Sequence, residues 1–147
     1  MTYLVTGGTG LIGSYVVHDL IKEGEQVVVY DLFPKVTFLE PLLSGEEKNR
    51  VKIVQGDVRD LPLLIRTVKE NNIQIIIHLA ALLNEMCKAN PYLAIKVNCA
   101  GTANVFETAR LLELKKIVWA SSAAVFGPPE KYPKGYIPND APHYPLG

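Results

Sequence analysis

Three glycines near the amino terminus have the spacing of a turn that holds phosphate groups. Gly7, Gly10 and Gly13 follow the apolar residues 3–5 and open into a helical pattern over residues 11–22. In such a strand–turn–helix, the first glycine allows a sharp turn, the second lets the backbone approach a diphosphate, and the third lets the helix pack close to the strand. Amide groups at the positive end of the helix then favour bound phosphates. A plain glycine-rich connection is the alternative interpretation.

A carboxylate, Asp31, stands where the same kind of site would bind a ribose. It ends the apolar residues 27–30 and lies about 20 residues past the glycine turn, as in the dinucleotide-binding fingerprint. A carboxylate at this position accepts hydrogen bonds from the ribose hydroxyls of NAD and repels the 2′-phosphate of NADP. The sequence therefore predicts NAD as the cofactor.

Apolar strand patterns and helical patterns alternate along the chain, and this alternation predicts an α/β fold with parallel strands and right-handed crossovers. We expect a Rossmann-type, doubly wound, three-layer sheet of strand order 3-2-1-4-5, with its crevice at the carboxyl ends of strands one and four. Strands are predicted near residues 3–5, 27–30, 51–56, 73–79 and 116–120, and helices near residues 11–22, 61–71 and 91–114.

The helix boundaries have local signals. Gly24 stands where the first helix should stop, and Asp60 is placed to cap the second helix. A short, less defined helix is expected over residues 36–43. The apolar residues of the first helix that are predicted to share one face are Leu11, Ile12, Tyr15, Val16, Leu20 and Ile21.

Composition limits the chain to one domain and argues against several functions. The 147 residues are 48% apolar and carry 15 basic and 15 acidic side chains, which suits one compact domain and argues against a nucleic-acid surface. The sequence has neither an apolar run of about 18 residues nor a signal-peptide pattern, so we expect a soluble, cytoplasmic protein without a membrane partner. Cys87 and Cys99 lack metal-ligand spacing, so we interpret them as free thiols and expect no metal site.

Four motifs, in this order and spacing, resemble those of the extended short-chain dehydrogenases/reductases, also called the NAD-dependent epimerase/dehydratase family. The resemblance covers almost the whole chain. The motifs read TGGTGLIG at residues 6–13, GDVRD at residues 56–60, HLAA at residues 78–81 and SSAAVFG at residues 121–127.

The resemblance implies cofactor contacts from the first two motifs. The glycine turn, together with Leu11 and Ile12, would hold the diphosphate of NAD. Asp57 would accept a hydrogen bond from the adenine amino group, while the main chain of Val58 lies against the ring. For Asp57, a helix-capping turn is the alternative.

Further contacts are implied on the other side of the crevice. Leu79, Ala80 and Ala81 would line it over the phosphate and ribose of the cofactor. Asn98 resembles a helix asparagine that supports the site in this family, although an asparagine within a helix is otherwise often a solvated residue. We interpret His78 as a core histidine rather than a proton carrier.

The resemblance implies one catalytic residue, Ser122, which would hydrogen-bond the substrate oxygen that is oxidised or reduced, with Ser121 as the structural alternative. In the family a tyrosine then moves the proton, and a lysine four residues later lowers the pKa of that tyrosine. Tyr132 and Tyr136 have no such lysine, and Tyr144 would need a residue 148.

We therefore expect two regions. Residues 1–127 form an NAD-binding Rossmann domain, and residues 128–147, with six of the ten prolines, form a loop that leads to an absent Tyr-x-x-x-Lys segment and substrate domain. This chain alone is expected to bind NAD weakly and to lack turnover.

The expected function is hydride transfer on a nucleotide sugar or a similar hydroxyl-bearing small molecule. The apolar Leu82 and Leu83 after the third motif resemble the short-chain type of L-threonine dehydrogenase, so amino-acid oxidation is an alternative. A non-catalytic NAD-binding module is another. A full-length form could be a homodimer through the helix at residues 91–114.

Overall fold

The computed structural model describes residues 1–132, 135 and 137–145, so Tyr136 and part of the predicted loop at residues 128–147 lie outside the described residues. Within them, the strands are β1 (Thr2–Thr6), β2 (Gln26–Asp31), β3 (Val51–Gln55), β4 (Ile75–His78) and β5 (Lys116–Trp119). The α-helices are α1 (Leu11–Lys22), α2 (Leu61–Glu70), α3 (Asn84–Ala89), α4 (Pro91–Ala94) and α5 (Thr102–Leu111), and a π-helical segment, Ile95–Gly101, joins α4 to α5.

The strands form one sheet in the order β3-β2-β1-β4-β5, which confirms the predicted topology. All neighbouring strands are parallel. Because the chain winds from β1 outward through β2 and β3 and then returns to place β4 on the other side of β1, the loops after β1 and β4 diverge at their carboxyl ends. This divergence leaves the crevice in which parallel α/β sheets bind ligands.

The core has two apolar layers, one on each face of the sheet, and successive strand residues alternate between them. Leu4 faces the layer beneath α2 and α5, whereas Val5 faces the layer beneath α1. The central strands are therefore apolar on both faces, as the continuous runs in the sequence predict. The first layer contains Leu4, Val28, Tyr30, Leu64, Val68, Ile76 and Val105, and the second contains Val5, Val17, Ile21, Val27, Val29 and Leu39.

The predicted apolar face of α1 is wrong in its first turn. Leu11, Ile12 and Tyr15 are 58%, 70% and 54% exposed, while the buried residues of α1 are Gly13, Ser14, Val17 and Ile21. The helix packs so closely that a Cβ on Gly13 would lie 2.2 Å from the Gly7 carbonyl oxygen. The contact between α1 and the glycine turn is made by the small residues Gly13 and Ser14. The pattern of large apolar side chains therefore does not predict which face of α1 is buried.

The predicted long helix is continuous but shorter and less regular than expected. It begins at Pro91, where the Asn90 side chain accepts a hydrogen bond from the Leu93 amide at 3.0 Å, and it ends at Leu111. Its middle is π-helical over Ile95–Gly101. The short helix expected over residues 36–43 is a 3₁₀ turn, Glu40–Leu42.

The segment after β5 packs on itself. It contains the 3₁₀ turns Ala123–Phe126 and Pro129–Lys131, and the Tyr144 amide donates to the Val125 carbonyl at 3.0 Å. The ring of Phe126 contacts those of Tyr132 and His143 edge to face. β5 is an edge strand of the sheet, and its Trp119 is exposed although the Phe106 ring lies 5.1 Å away.

Candidate dinucleotide site

The glycine turn between β1 and α1 has a shape that side chains would prevent. Gly7 has a φ of +68°, and a Cβ there would lie 2.9 Å from the backbone of Ala80. The Gly7 amide donates to the Tyr30 carbonyl at 2.9 Å, and the Gly10 amide donates to the Gly7 carbonyl at 3.1 Å. The turn is therefore held against both neighbouring strands, with exposed Gly10 at its tip.

The first turn of α1 has the features of an anion-binding helix end. Gly10 precedes the helix in extended conformation, and its carbonyl accepts from the Ser14 amide at 2.8 Å. The amides of Leu11 and Ile12 belong to the first helical turn, whose N–H groups have no partner within the helix. Both residues are exposed at the mouth of the crevice. Such a helix end binds phosphate oxygens well.

Asp31 lies beside this turn, half-buried at the end of β2. One carboxylate oxygen accepts from the Thr9 hydroxyl at 2.7 Å and the Thr9 amide at 3.2 Å, and the other accepts from the Phe33 amide at 3.2 Å. These bonds fix the direction of the carboxylate. It borders a cavity of about 410 Å³ whose lining residues are Thr9, Gly10, Asp31, Phe33, Lys35, Thr37 and Phe38.

Asp57 follows β3 at the same edge of the sheet. Its carboxylate accepts from the Arg59 side chain at 2.9 Å and from the Arg59 amide at 2.9 Å, and these hydrogen bonds lower the pKa of Asp57. The group is therefore ionised near neutral pH and is an acceptor. Asp57 does not cap α2. Asp60 does, because its carboxylate accepts from the Leu63 amide at 2.9 Å, as the sequence predicts.

The main chain of this turn is held by side chains from two other elements. The Tyr30 hydroxyl donates to the Asp57 carbonyl at 2.9 Å. The Asn104 side-chain amide, from α5, donates to the carbonyls of Val58 and Arg59, both at 3.0 Å. Val58 itself is buried.

His78 is buried at the end of β4 and is bonded on both ring nitrogens. Its Nδ1 lies 2.6 Å from the Thr6 hydroxyl and its Nε2 lies 2.9 Å from the Thr102 hydroxyl. Thr102 donates its own proton to the Asn98 carbonyl at 2.7 Å, so it accepts from Nε2, and Thr6 donates to Nδ1. Burial lowers the pKa of His78, which favours this neutral imidazole.

The loop after β4 is tied to both sides of the crevice. The Leu79 and Ala80 amides approach the Thr6 hydroxyl oxygen at 3.2 and 3.3 Å. Asn98 makes a two-bond clamp: its side chain accepts from the Leu82 amide at 2.8 Å and donates to the Leu82 carbonyl at 3.0 Å. Asn98 is therefore a fixed polar contact of the helix rather than a solvated one.

The remaining loop residues lie close by. Ala81 is exposed between the two anchored ends of the loop, and the Cys87 thiol contacts the Leu82 carbonyl at 3.2 Å. Cys87 and Cys99 are both free thiols. Within the described residues, no group of three or more His, Cys, Asp or Glu side chains converges as a metal site would.

Ser122 is exposed after the edge strand β5, at the carboxyl edge of the sheet. Its hydroxyl oxygen accepts from the Ala124 amide at 3.2 Å and so caps the following 3₁₀ turn. Ser121 is exposed as well. Tyr132 is half-buried, and its hydroxyl donates to the Phe126 carbonyl at 2.7 Å.

The sequence pattern indicates the glycines and carboxylates of the site but not the residues that orient them. Thr9 lies within the first motif but receives no role from it, and Tyr30, Thr102 and Asn104 lie in none of the four motifs. Tyr30 offers one usable signal: a phenol within an apolar, central strand must find a hydrogen-bond partner when buried.

The fold and the site together define a Rossmann-type dinucleotide-binding domain. The family model described as GDP-mannose 4,6 dehydratase matches residues 4–146. The chain belongs to this family, within the NAD-dependent epimerases and dehydratases, as its four motifs predict.

The relatives that match are longer proteins. UDP-glucose 4-epimerase of Neisseria meningitidis serogroup C is 39% identical over 133 residues, which are 88% of this chain and 39% of that protein. The same-named protein of Lacticaseibacillus casei is 34% identical across 100% of this chain and 43% of its own length. The chain thus spans about two fifths of these relatives.

Solved structures match over nearly the whole chain. UDP-glucose-4-epimerase from Stenotrophomonas maltophila, with bound NAD and formylated UDP-arabinopyranose, has a TM-score of 0.84 at 27% identity and covers 98% of this chain and 43% of that one. The Bifidobacterium longum enzyme, in complex with NAD+ and UDP, has a TM-score of 0.83 at 32% identity, over 98% and 43% of the two chains. None of the helices in the described part of this chain has the length and apolar character needed to cross a bilayer.

Proposed function

We propose that this chain binds NAD at the carboxyl edge of its sheet and forms the cofactor-binding part of an NAD-dependent epimerase that acts on a nucleotide sugar. One observation carries the proposal. The glycine turn is closed against Ala80 so tightly that a Cβ on Gly7 would lie 2.9 Å from its backbone, and the Asp31 carboxylate is held beside that turn. This pairing of a bare backbone with a fixed carboxylate suits a diphosphate joined to a ribose.

Each part of the crevice has a proposed role. The amides of Leu11 and Ile12 bind the diphosphate, and Asp31 binds the adenosine ribose. Bound NAD supplies a hydride acceptor. The residues of this chain orient it: the backbone of residues 79–81 forms the wall of the crevice, and Asn98 fixes that wall through Leu82.

The substrate assignment has separate support. The relatives are named UDP-glucose 4-epimerases, and solved neighbours contain UDP or a UDP-sugar, which favours a nucleotide sugar over an amino acid. Ser122 is exposed on the same edge, where its hydroxyl can bond a substrate oxygen. A non-catalytic module would bind NAD equally well but would show no response to a nucleotide sugar.

The binding test compares Asp31→Asn with the wild type by calorimetric titration of NAD and NADP. Loss of the charged acceptor should weaken NAD binding by about tenfold to a hundredfold, because a hydrogen bond to a charged group contributes about 1.5–3 kcal/mol. The preference for NAD over NADP should fall as well. Asp19→Asn, on the exposed surface of α1, is the matched control and should bind as wild type.

Equal NAD affinity in Asp31→Asn and the wild type would contradict the cofactor site. The substrate proposal is tested separately, by titrating UDP-glucose and L-threonine into the NAD-loaded full-length protein. An effect of UDP-glucose alone on thermal unfolding or nicotinamide absorbance supports the nucleotide-sugar assignment. An effect of threonine alone would overturn it, and an effect of neither would favour the non-catalytic module.

A further inference from the structure

The turn at residues 56–60 is braced more heavily than a loop connection requires. Three successive carbonyls, those of Asp57, Val58 and Arg59, each accept a hydrogen bond from a side chain of another element. Tyr30 of β2 donates to the first at 2.9 Å. Asn104 of α5 donates to the second and third, both at 3.0 Å.

Two glycines let these elements close on the turn. A Cβ on Gly101, at the start of α5, would lie 2.6 Å from Val58 Cγ2. A Cβ on Gly56 would lie 2.2 Å from the Tyr30 ring. The donors therefore reach the turn because the helix and the strand approach it without intervening side chains.

The brace fixes the part of the turn that faces the crevice. With its carbonyls drawn toward β2 and α5, the turn has little freedom to rotate its peptide planes. The Asp57 carboxylate is in turn held by the Arg59 amide and side chain. An acceptor whose direction is set before binding loses less conformational entropy when a ligand arrives.

We propose that Asn104 is a positioning residue for adenine recognition, and that with Tyr30 it holds the turn so that Asp57 accepts from the adenine 6-amino group. This inference rests on the proposed function, that the chain binds NAD, and on the family resemblance, which implies that adenine lies at this turn. Asn104 does not touch the cofactor. It acts through the main chain of Val58 and Arg59.

If Asn104 positions the turn, its loss changes the selectivity between NAD and a dinucleotide with a different base. If Asn104 only supports the fold, its loss leaves that selectivity unchanged. Nicotinamide hypoxanthine dinucleotide replaces the 6-amino donor of adenine with a carbonyl acceptor, which a carboxylate disfavours. The wild type should prefer NAD over this analogue by about tenfold or more, since a site built for a hydrogen bond rejects a ligand that leaves it unpaired. General loss of structure would weaken both ligands alike.

The experiment measures the affinities of the 147-residue chain for both dinucleotides. Asn104→Leu keeps the side-chain size and removes both N–H donors. We expect its affinities for the two dinucleotides to differ by no more than about threefold, and its affinity for NAD to fall about tenfold. Asn49→Leu, exposed at the amino end of β3, is the matched control and should keep the wild-type preference. Tyr30→Phe removes only the hydroxyl and should also reduce the preference for NAD over the hypoxanthine analogue. Tyr15→Phe, at an exposed position of α1, should leave that preference unchanged.

The possible outcomes distinguish failure of the Asn104 inference from failure of the proposed NAD binding. A preference that survives unchanged in Asn104→Leu and Tyr30→Phe overturns the inference, whatever happens to overall affinity. If Asn104→Leu does not fold, as judged by thermal unfolding, Tyr30→Phe alone carries the test. If the wild type binds NAD but does not distinguish the two dinucleotides, the placement of adenine at Asp57 fails and this inference fails with it. If the wild type does not bind NAD, the proposed function itself fails.

Discussion

The two sides of the crevice are built by different means. On the β1–β2 side, backbone makes the site: Gly7 and Gly13 bring the turn against its neighbours, and a local bond from Thr9 orients Asp31. On the helix side, polar side chains make it: Asn98 and Asn104 reach distant main-chain groups at Leu82, Val58 and Arg59. The first side depends on close packing and the second on individual hydrogen bonds.

The stability of the β1–β2 side should be the more sensitive to the addition of a single methyl group. In Gly13→Ala the new methyl group would meet the Gly7 carbonyl oxygen at 2.2 Å and Gly8 Cα at 2.7 Å, and neither atom can move without opening the turn. We expect a loss of about 3 kcal/mol in the free energy of unfolding, measured by urea denaturation, because overpacking a close contact costs about 1–3 kcal/mol and rigid backbone gives the upper end.

The control for that substitution is Gly45→Ala, whose Cβ would meet nothing within 4 Å. It should unfold at nearly the wild-type urea concentration. Equal losses in Gly13→Ala and Gly45→Ala would show that the contact between turn and helix does not carry the stability of this side.

His78→Leu should have the next largest effect, since it breaks the link between the two sides. The change leaves the Thr6 hydroxyl and the Thr102 hydroxyl without their imidazole partner. Unpaired buried polar groups cost about 1–3 kcal/mol, so we expect a loss of about 2 kcal/mol in urea denaturation. Amide exchange at Leu79 and Ala80 should accelerate as well.

The matched control is His18→Leu on α1, where the one side-chain hydrogen bond of the imidazole among the described residues is to the neighbouring Asp19. It should leave amide exchange at Leu79 unchanged. A His78→Leu protein with wild-type stability would show that packing, rather than the hydroxyl contacts, holds this loop.

A smaller effect is expected at Gly101 on the helix side. Alanine there meets a side chain, Val58 Cγ2 at 2.6 Å, rather than backbone, while alanine in a helix contributes about 1 kcal/mol over glycine. Gly101→Ala alone should therefore be neutral to mildly destabilising. In a Val58→Ala background the same change should stabilise by up to about 1 kcal/mol, because the obstructing methyl group is gone.

This double-mutant cycle separates the two sides of the crevice. At Gly101 the obstructing atom belongs to a side chain that can be shortened, whereas at Gly13 the obstructing atoms are backbone and cannot be removed. Urea denaturation of the four proteins gives the coupling energy. An identical effect of Gly101→Ala in both backgrounds would show that Gly101 and Val58 do not limit each other.

The dependence on pH should be the smallest effect, because one imidazole titrates while the rest of the network stays intact. Burial lowers the pKa of His78 in the folded chain below its ordinary value of about 6.5. The unfolded chain therefore binds more protons as pH falls below about 6.5, and stability decreases in that direction. Above that pH this contribution is fully present.

The measurement is the difference in urea midpoint between the wild type and His78→Leu from pH 8 to about pH 5. The difference should shrink as the pH falls through that range. A constant difference would mean that the folded chain and the unfolded chain bind protons at His78 equally.

The same contrast explains how much of the molecule can be predicted from its sequence. The strand order, the glycine turn, the Asp60 cap and the stop at Gly24, with its φ of +83°, follow from signals that are local or periodic. The brace by Asn104 does not, because it joins residues 45 and 46 positions apart.

The errors have equally physical causes. The helical periodicity predicts an apolar face that includes Leu11 and Ile12, but both are exposed, because the close approach through Gly13 turns a different face of α1 to the sheet. The π-helical stretch Ile95–Gly101 has no marker in composition. Asn98 lies in this stretch. Its two hydrogen bonds to Leu82 follow from the three-dimensional packing of the helix against the loop, which the sequence pattern does not give.

The central claim, that NAD binds across the carboxyl ends of β1, β2, β3 and β4, is tested most directly by following backbone amide resonances of the chain during an NAD titration. The account predicts shifts at Gly7, Leu11, Ile12, Asp31 and Val58. Shifts centred instead on the cavity of about 260 Å³ at the opposite edge of the sheet, at Thr2, Asn49 and Asn71, would contradict it.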